Sequence, residues 1–127
     1  MNSSKKLDII FVKDDNSMFD LGSEKFTELF NKVDFAPDKR KALKLIYDND
    51  YDVLIHDVSV DYTNGATFIT QIKQMKPTAT IIAFVSPKDE SKVGEMIELG
   101  VDAFLLNPTD LDYALEAISQ REPASAK

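Results

Sequence analysis

Five short apolar runs, each followed by an amphipathic stretch, set the strongest limit on how this chain folds. The runs are Leu7–Val12, Val33–Ala36, Asp52–His56, Thr80–Val85 and Ala103–Leu106. Continuous apolar runs of this length suit parallel strands covered on both faces. Val33–Ala36, which stops at Pro37, reads as an edge strand. Between the runs lie helical patterns. Ser17–Lys32 carries Phe19, Phe26, Phe30 and Val33 on one stripe, and Ser17 is a candidate N-cap. Gly22 weakens the first turns of that helix by about 1 kcal/mol. Asp38–Ile46 turns Ala42, Leu45 and Ile46 inward with Asp38 as cap, and Asn64–Gln74 does so with Phe68, Ile69 and Ile72. Asp89–Leu99 turns Val93, Met96 and Ile97 inward and closes at Gly100, and Thr109–Ser119 buries Leu111, Ala114, Leu115 and Ile118.

Strand and helix alternating five times predict an α/β domain: a (βα)5, doubly wound, five-stranded parallel sheet with right-handed crossovers. Composition narrows the chemistry. There is no cysteine, hence no disulfide scaffold, thiol nucleophile or zinc cluster. The single histidine, His56, excludes a multi-histidine metal site and, with no nucleophile elbow, a hydrolase triad. A net charge of −7 opposes direct contact with nucleic acid or an anionic membrane surface. No apolar run approaches the ~20 residues of a membrane-spanning helix, and a cytoplasmic location is expected. No glycine-rich phosphate or dinucleotide loop is found among the four glycines, which disfavours a flavin or similar cofactor.

In open parallel sheets ligands bind at the carboxyl ends of the strands. Those ends carry Lys13-Asp14-Asp15, His56-Asp57, Val85-Ser86 and Leu106-Asn107-Pro108. Asp14 and Asp57 would converge there, and crowded carboxylates repel unless a cation lies between them. Hard oxygen ligands with water in the other positions suit Mg²⁺. A carboxylate beside such an ion is also a nucleophile toward phosphorus.

From Leu7 to about Gln120 the chain resembles the receiver domains of two-component response regulators. Tyr51-Asp-Val-Leu-Ile-His-Asp57-Val-Ser-Val-Asp-Tyr-Thr-Asn-Gly65 is similar to the family's phosphoacceptor strand and loop. The resemblance implies a flavodoxin-like sheet of order 2-1-3-4-5, with a receiver domain over residues 1–121 and 122–127 as a flexible tail or the start of a linker. It implies Asp57 as phosphoacceptor and Mg²⁺ held by Asp14, Asp57 and the carbonyl of Ser59. Phe104 falls where the family has an aromatic residue whose rotamer follows phosphorylation, although a plain core or interface role is open to it too. The implied partners are a histidine kinase or phosphotransfer protein, and a downstream protein or C-terminal output domain.

Three positions depart from the family pattern. Lys13 stands where a metal-binding acid is expected, Val85 where a hydroxyl bonds the phosphoryl group, and Asn107 where a lysine pairs with its oxygens. Asp61 also replaces a proline. Ser86, next to Val85, would supply a hydroxyl if the strand end shifts locally, but the family-like spacing from Val85 to Asn107 opposes a shift. A bulge in the first strand would instead make Asp14-Asp15 the acid pair and leave Lys13 flanking it. Asp14 alone would also serve as a helix cap. His56 adjoins Asp57, yet strand alternation turns it to the opposite face, as a packed histidine. The changed positions keep a second reading in view: a pseudo-receiver that binds proteins independently of phosphorylation.

An ammonium about 5 Å from a divalent ion opposes its binding by several kcal/mol at an effective dielectric near 20. A lysine swings aside more cheaply than that, so the net loss is a few decades in affinity at most. Lys13→Glu is therefore expected to tighten Mg²⁺ binding about tenfold or more in isothermal titration. Wild-type affinity in the range usual for receivers would contradict this.

Overall fold

The computed structural model describes residues 6–12, 22, 24–57 and 65–121. The five strands are β1 (Asp8–Val12), β2 (Lys32–Ala36), β3 (Val53–Asp57), β4 (Thr80–Val85) and β5 (Asp102–Leu105). All pair in parallel, in the order β2-β1-β3-β4-β5. The helices are α1 (Lys25–Leu29), α2 (Lys39–Asp48), α3 (Gly65–Met75), α4 (Val93–Glu98) and α5 (Leu111–Ser119). The expected doubly wound α/β sheet is thus the observed one.

Strand alternation divides the core into two layers. Ile10, Val12, Leu54, Ala83 and Val85 face one side, where Ile46, Phe68, Ile72 and Met96 cover them. Ile9, Phe11, Val53, Ile55, Ile82 and Phe84 face the other, under Phe26, Leu115 and Ile118. Both faces of the three central strands are buried, and this is why their sequences read as unbroken apolar runs.

The helix ends follow local chemistry. The Asp38 carboxylate accepts a hydrogen bond from the Lys41 N–H at 2.8 Å and caps α2 as expected. Gly100 takes φ +82 after α4, a region that favours glycine.

Three expectations need correction. The first helix ends at Leu29 rather than Lys32: Phe30 is extended (φ −123, ψ 151), and Val33 lies on β2 instead of the helical stripe. Both side chains still pack on the aromatic layer, which is how they mimicked a helical period. The expected helix Asp89–Leu99 is split. Pro87–Lys92 forms 3₁₀ turns with Asp89 at φ −108, ψ 20, and only Val93–Glu98 is α-helical. A 3₁₀ turn advances by three residues and changes the phase of the buried stripe. Met96 therefore faces inward, and Ile97 is 61% exposed instead of buried. β5 begins one residue early, so Leu106 is buried just beyond it. Residues 1–5, 13–21, 23, 58–64 and 122–127, and with them the proposed tail, lie outside the described residues.

Asp38→Ala removes the α2 cap and should cost about 1 kcal/mol in urea unfolding with an unchanged m-value. An effect below a few tenths would mean that the cap is dispensable.

Candidate functional site

Asp57 ends β3, the central strand, and is 2% exposed. Register places it opposite Phe84 of β4, just as Ile55 lies opposite Ile82. Asp57 therefore belongs to the aromatic face of the sheet. Phe84 lies opposite Phe104 of β5, and the two rings pack at 6.0 Å between centroids, tilted by 36°. On the other side Phe84 meets Phe11 edge-on at 5.8 Å, and Phe11 meets Phe26 edge-on at 6.0 Å. Aromatic pairs of this geometry contribute about 0.5–1.5 kcal/mol each beyond their burial. Sequence reasoning singled out Phe104 but missed Phe84, the residue between it and Asp57. The signal was present, since Phe84 and Phe104 hold matching places in neighbouring runs.

Val85 and Ser86 divide differently from their spacing in the sequence. Val85 is fully buried in the opposite layer, with Ala83. Ser86 follows with extended backbone (φ −78, ψ 156) and is also buried. Alternation continued past Val85 puts Ser86 on the side of Phe84 and Asp57. No shift of the strand end is required. The Ser86 carbonyl accepts from the Asp89 N–H at 2.8 Å, and its Oγ lies 3.5 Å from Asp89 Oδ2. Asp89 is in turn paired with Lys92 at 3.2 Å.

Asn107 is exposed in the loop after β5. Its N–H donates to the Asp110 carboxylate at 3.0 Å, and its carbonyl accepts from the Asp110 N–H at 2.9 Å. Asn107 thus opens the turn that leads into α5, a task for which a short polar residue is suited.

His56 faces the other layer, as alternation requires. It is fully buried, edge-on to Phe68 at 5.2 Å, and neither ring nitrogen has a hydrogen-bond partner among the described residues. Burial, with a smaller contribution from the charge of Lys39, holds its pKa down at about 4. The imidazole is therefore neutral at pH 7 and is packed as an apolar ring.

Lys13, Asp14 and Ser59 lie outside the described residues, so of the expected metal ligands only Asp57 is placed. Its carboxylate is the hard oxygen donor that Mg²⁺ takes. Among the described residues no group of three or more acidic or histidine side chains is gathered for a metal. None of the described helices is long and apolar enough to cross a membrane.

Residues 9–119 match the family described as Response regulator receiver domain. The chemotaxis protein CheY of Halobacterium salinarum is 25% identical over 111 residues, which cover 87% of this chain and 92% of that protein. The transcriptional regulatory protein DegU of Brevibacillus brevis is 24% identical over 119 residues, 91% of this chain; the match spans only half of DegU. Among solved structures, the chemotaxis response regulator CheY4 of Vibrio cholerae superposes with a TM-score of 0.69 at 22% identity, over 87% of this chain and 97% of that one. NtrX of Brucella abortus gives 0.73 at 18% identity, over 90% of this chain and 27% of its own. At these identities the two structures speak for the fold.

His56 makes stability depend on pH in a defined direction. Its folded pKa lies below the ordinary value near 6.5. The unfolded chain therefore takes up a proton first as pH falls. Stability is complete above about pH 6.5 and declines toward pH 4, by about 3 kcal/mol from this group. Denaturant unfolding across that range should show His56→Leu with a shallower decline than wild type. Equal slopes would contradict a neutral, desolvated imidazole.

Proposed function

The chain belongs to the response-regulator receiver domain family, and from that premise we propose that Asp57 accepts a phosphoryl group in two-component signalling. The observation that carries this reading is a carboxylate at the end of the central strand, buried to 98% within the family's fold. In the reaction an Asp57 oxygen attacks phosphorus and an O–P bond forms. The P–N bond of a phosphohistidine, or the P–O bond of a small acyl phosphate, breaks. The leaving group takes the bonding electron pair: the histidine imidazole is protonated by solvent as it leaves, whereas the acyl phosphate releases its carboxylate as the anion.

Asp57, Asp14 and the carbonyl of Ser59 are the ligands assigned to Mg²⁺, with Lys13 weakening its hold. The ion, when bound, neutralises charge on the transferred phosphoryl group. Ser86 is the hydroxyl assigned to the phosphoryl oxygens, in place of the expected Val85, because alternation gives it the face of Asp57. The steric route onward is Phe84, which separates Asp57 from Phe104 in one row of the sheet. The upstream partner is a histidine kinase or phosphotransfer protein, and the downstream partner a separate protein or an output domain.

A second reading is supported by Asn107. A neutral, exposed side chain there leaves out the charge-assisted contact that a lysine would give to the phosphorylated state. The domain would then serve as a phosphorylation-independent interaction module.

Incubation with a small phosphodonor and Mg²⁺, followed by intact mass, separates the two readings. A gain of one phosphoryl group that disappears in Asp57→Ala supports the first, and no gain by a folded protein supports the second. Ser86→Ala is expected to slow the modification about tenfold. Val85→Thr should cost about 1–3 kcal/mol of stability without accelerating it, because its hydroxyl enters an apolar layer. The opposite pattern would restore Val85 as the phosphoryl-facing position.

A further inference from the structure

Ser86 ends the extended run of β4 and opens the turn that leads to α4, and its hydroxyl is already in use. Around it Pro87, Lys88, Glu90 and Ser91 are exposed, as residues of a surface turn are, whereas Asp89 and Lys92 are half-buried. The Asp89 side chain keeps only 19% of its surface and that of Lys92 29%. A carboxylate so far withdrawn from water needs partners. Asp89 divides its two oxygens between them. Oδ2 accepts from the Ser86 hydroxyl at 3.5 Å, and Oδ1 accepts from the Lys92 ammonium at 3.2 Å. The backbone joins the same two residues: the Asp89 N–H donates to the Ser86 carbonyl at 2.8 Å. Asp89 is also the one residue of Pro87–Lys92 with non-helical backbone, at φ −108, ψ 20.

A serine hydroxyl has one proton to donate. An ionised phosphoryl oxygen offers only lone pairs, so a bond to it takes that proton. The Asp89 carboxylate and a phosphoryl group on Asp57 are therefore rivals for a single hydrogen bond. The contact to Asp89 is long, since a well-formed O–H···O⁻ bond spans about 2.5–2.7 Å. Ser86 is thus restrained but not locked.

We infer that Asp89 is a positioning residue that holds back the Ser86 hydroxyl, so that phosphorylation proceeds more slowly than Ser86 alone would allow. The inference rests on the reading of Asp57 as phosphoacceptor and of Ser86 as the hydroxyl that meets its phosphoryl oxygens. Lys92 keeps the carboxylate in place in both states. When Ser86 turns to the phosphoryl group, Asp89 retains that ammonium, and its charge is not left stranded in a half-buried turn. Only hydrogen bonds are exchanged at this turn; the covalent step stays at Asp57.

The rate of mass gain of the whole chain with acetyl phosphate and Mg²⁺ tests this, in about 0.5 M KCl to screen long-range charge. Asp89→Ala keeps the backbone N–H and should accelerate the modification about three- to tenfold, the effect of freeing one hydrogen bond. Asp89→Asn retains an acceptor oxygen without the charge and should fall between the two. In a Ser86→Ala background Asp89→Ala should change the rate by less than about twofold. Loss of a purely structural contact, or of one negative charge, would not depend on Ser86 in this way. An Asp89→Ala rate no faster than wild type, or the same acceleration with and without Ser86, overturns the inference and leaves the reading of Asp57 standing. No mass gain in wild type or in any variant overturns that reading, and this inference with it. Should Asp89→Ala lower the melting temperature, Asp89→Asn with and without Ser86 gives the same comparison: acceleration only with Ser86 supports the inference, and equal or absent acceleration overturns it.

Discussion

The parallel register of the three strands β3, β4 and β5 is the constraint on which the site depends. It sets Asp57 opposite Phe84, and Phe84 opposite Phe104. Because successive side chains alternate, a slip of one residue would exchange Asp57 with His56 and bury the carboxylate among Phe68, Ile69 and Ile72. Burial of both faces of β3 and β4 prevents that slip: each of these two strands carries apolar side chains that must lie within one of two packed layers. The same packing sets His56 and Asp57, adjacent in sequence, to different tasks. One is a neutral ring within an apolar layer. The other is a carboxylate at the rim of the aromatic layer, where the strands end.

In the proposed function the aromatic layer is the route outward from the site. Phe84 packs against Phe11 and Phe104, and Phe104 is only half-buried on β5. Close-packed rings do not deform continuously, so a new group on Asp57 that presses on Phe84 must be accommodated by discrete movement of its neighbours. Ser86 stands on the same side, held near the turn by Asp89. In that proposal the route does not depend on a hydroxyl at position 85.

Much of the architecture was legible in the sequence because double-sided burial leaves a plain signature. Thr80–Val85 was bounded to the residue, and Asp38 was identified as the cap of α2. The misreadings have physical causes. Phe30 and Val33 pack on the layer that α1 covers, so they extended the helical stripe although the backbone had already left the helix. Pro87 starts 3₁₀ turns, which altered the phase of the next helix and exposed Ile97. At the site, spacing pointed to Val85, whereas backbone alternation favours Ser86; spacing along a chain carries no information about which face a side chain takes. Asn107 read as a loss when compared with the family pattern, and its role at the start of α5 emerges only with the Asp110 carboxylate beside it. Lys13, Asp14 and Ser59 remain expectations from the resemblance.

The central claim is that chemistry at Asp57 is felt along the aromatic row and not through the opposite layer. It is tested most directly by aromatic-ring NMR with Mg²⁺ and beryllofluoride, a phosphoryl mimic that binds a carboxylate. The account predicts shifted ring resonances for Phe84 and Phe104, little change at Phe68 and His56, and no response in Asp57→Asn. Shifts confined to Phe68 and His56, or a response that persists in Asp57→Asn, would contradict it.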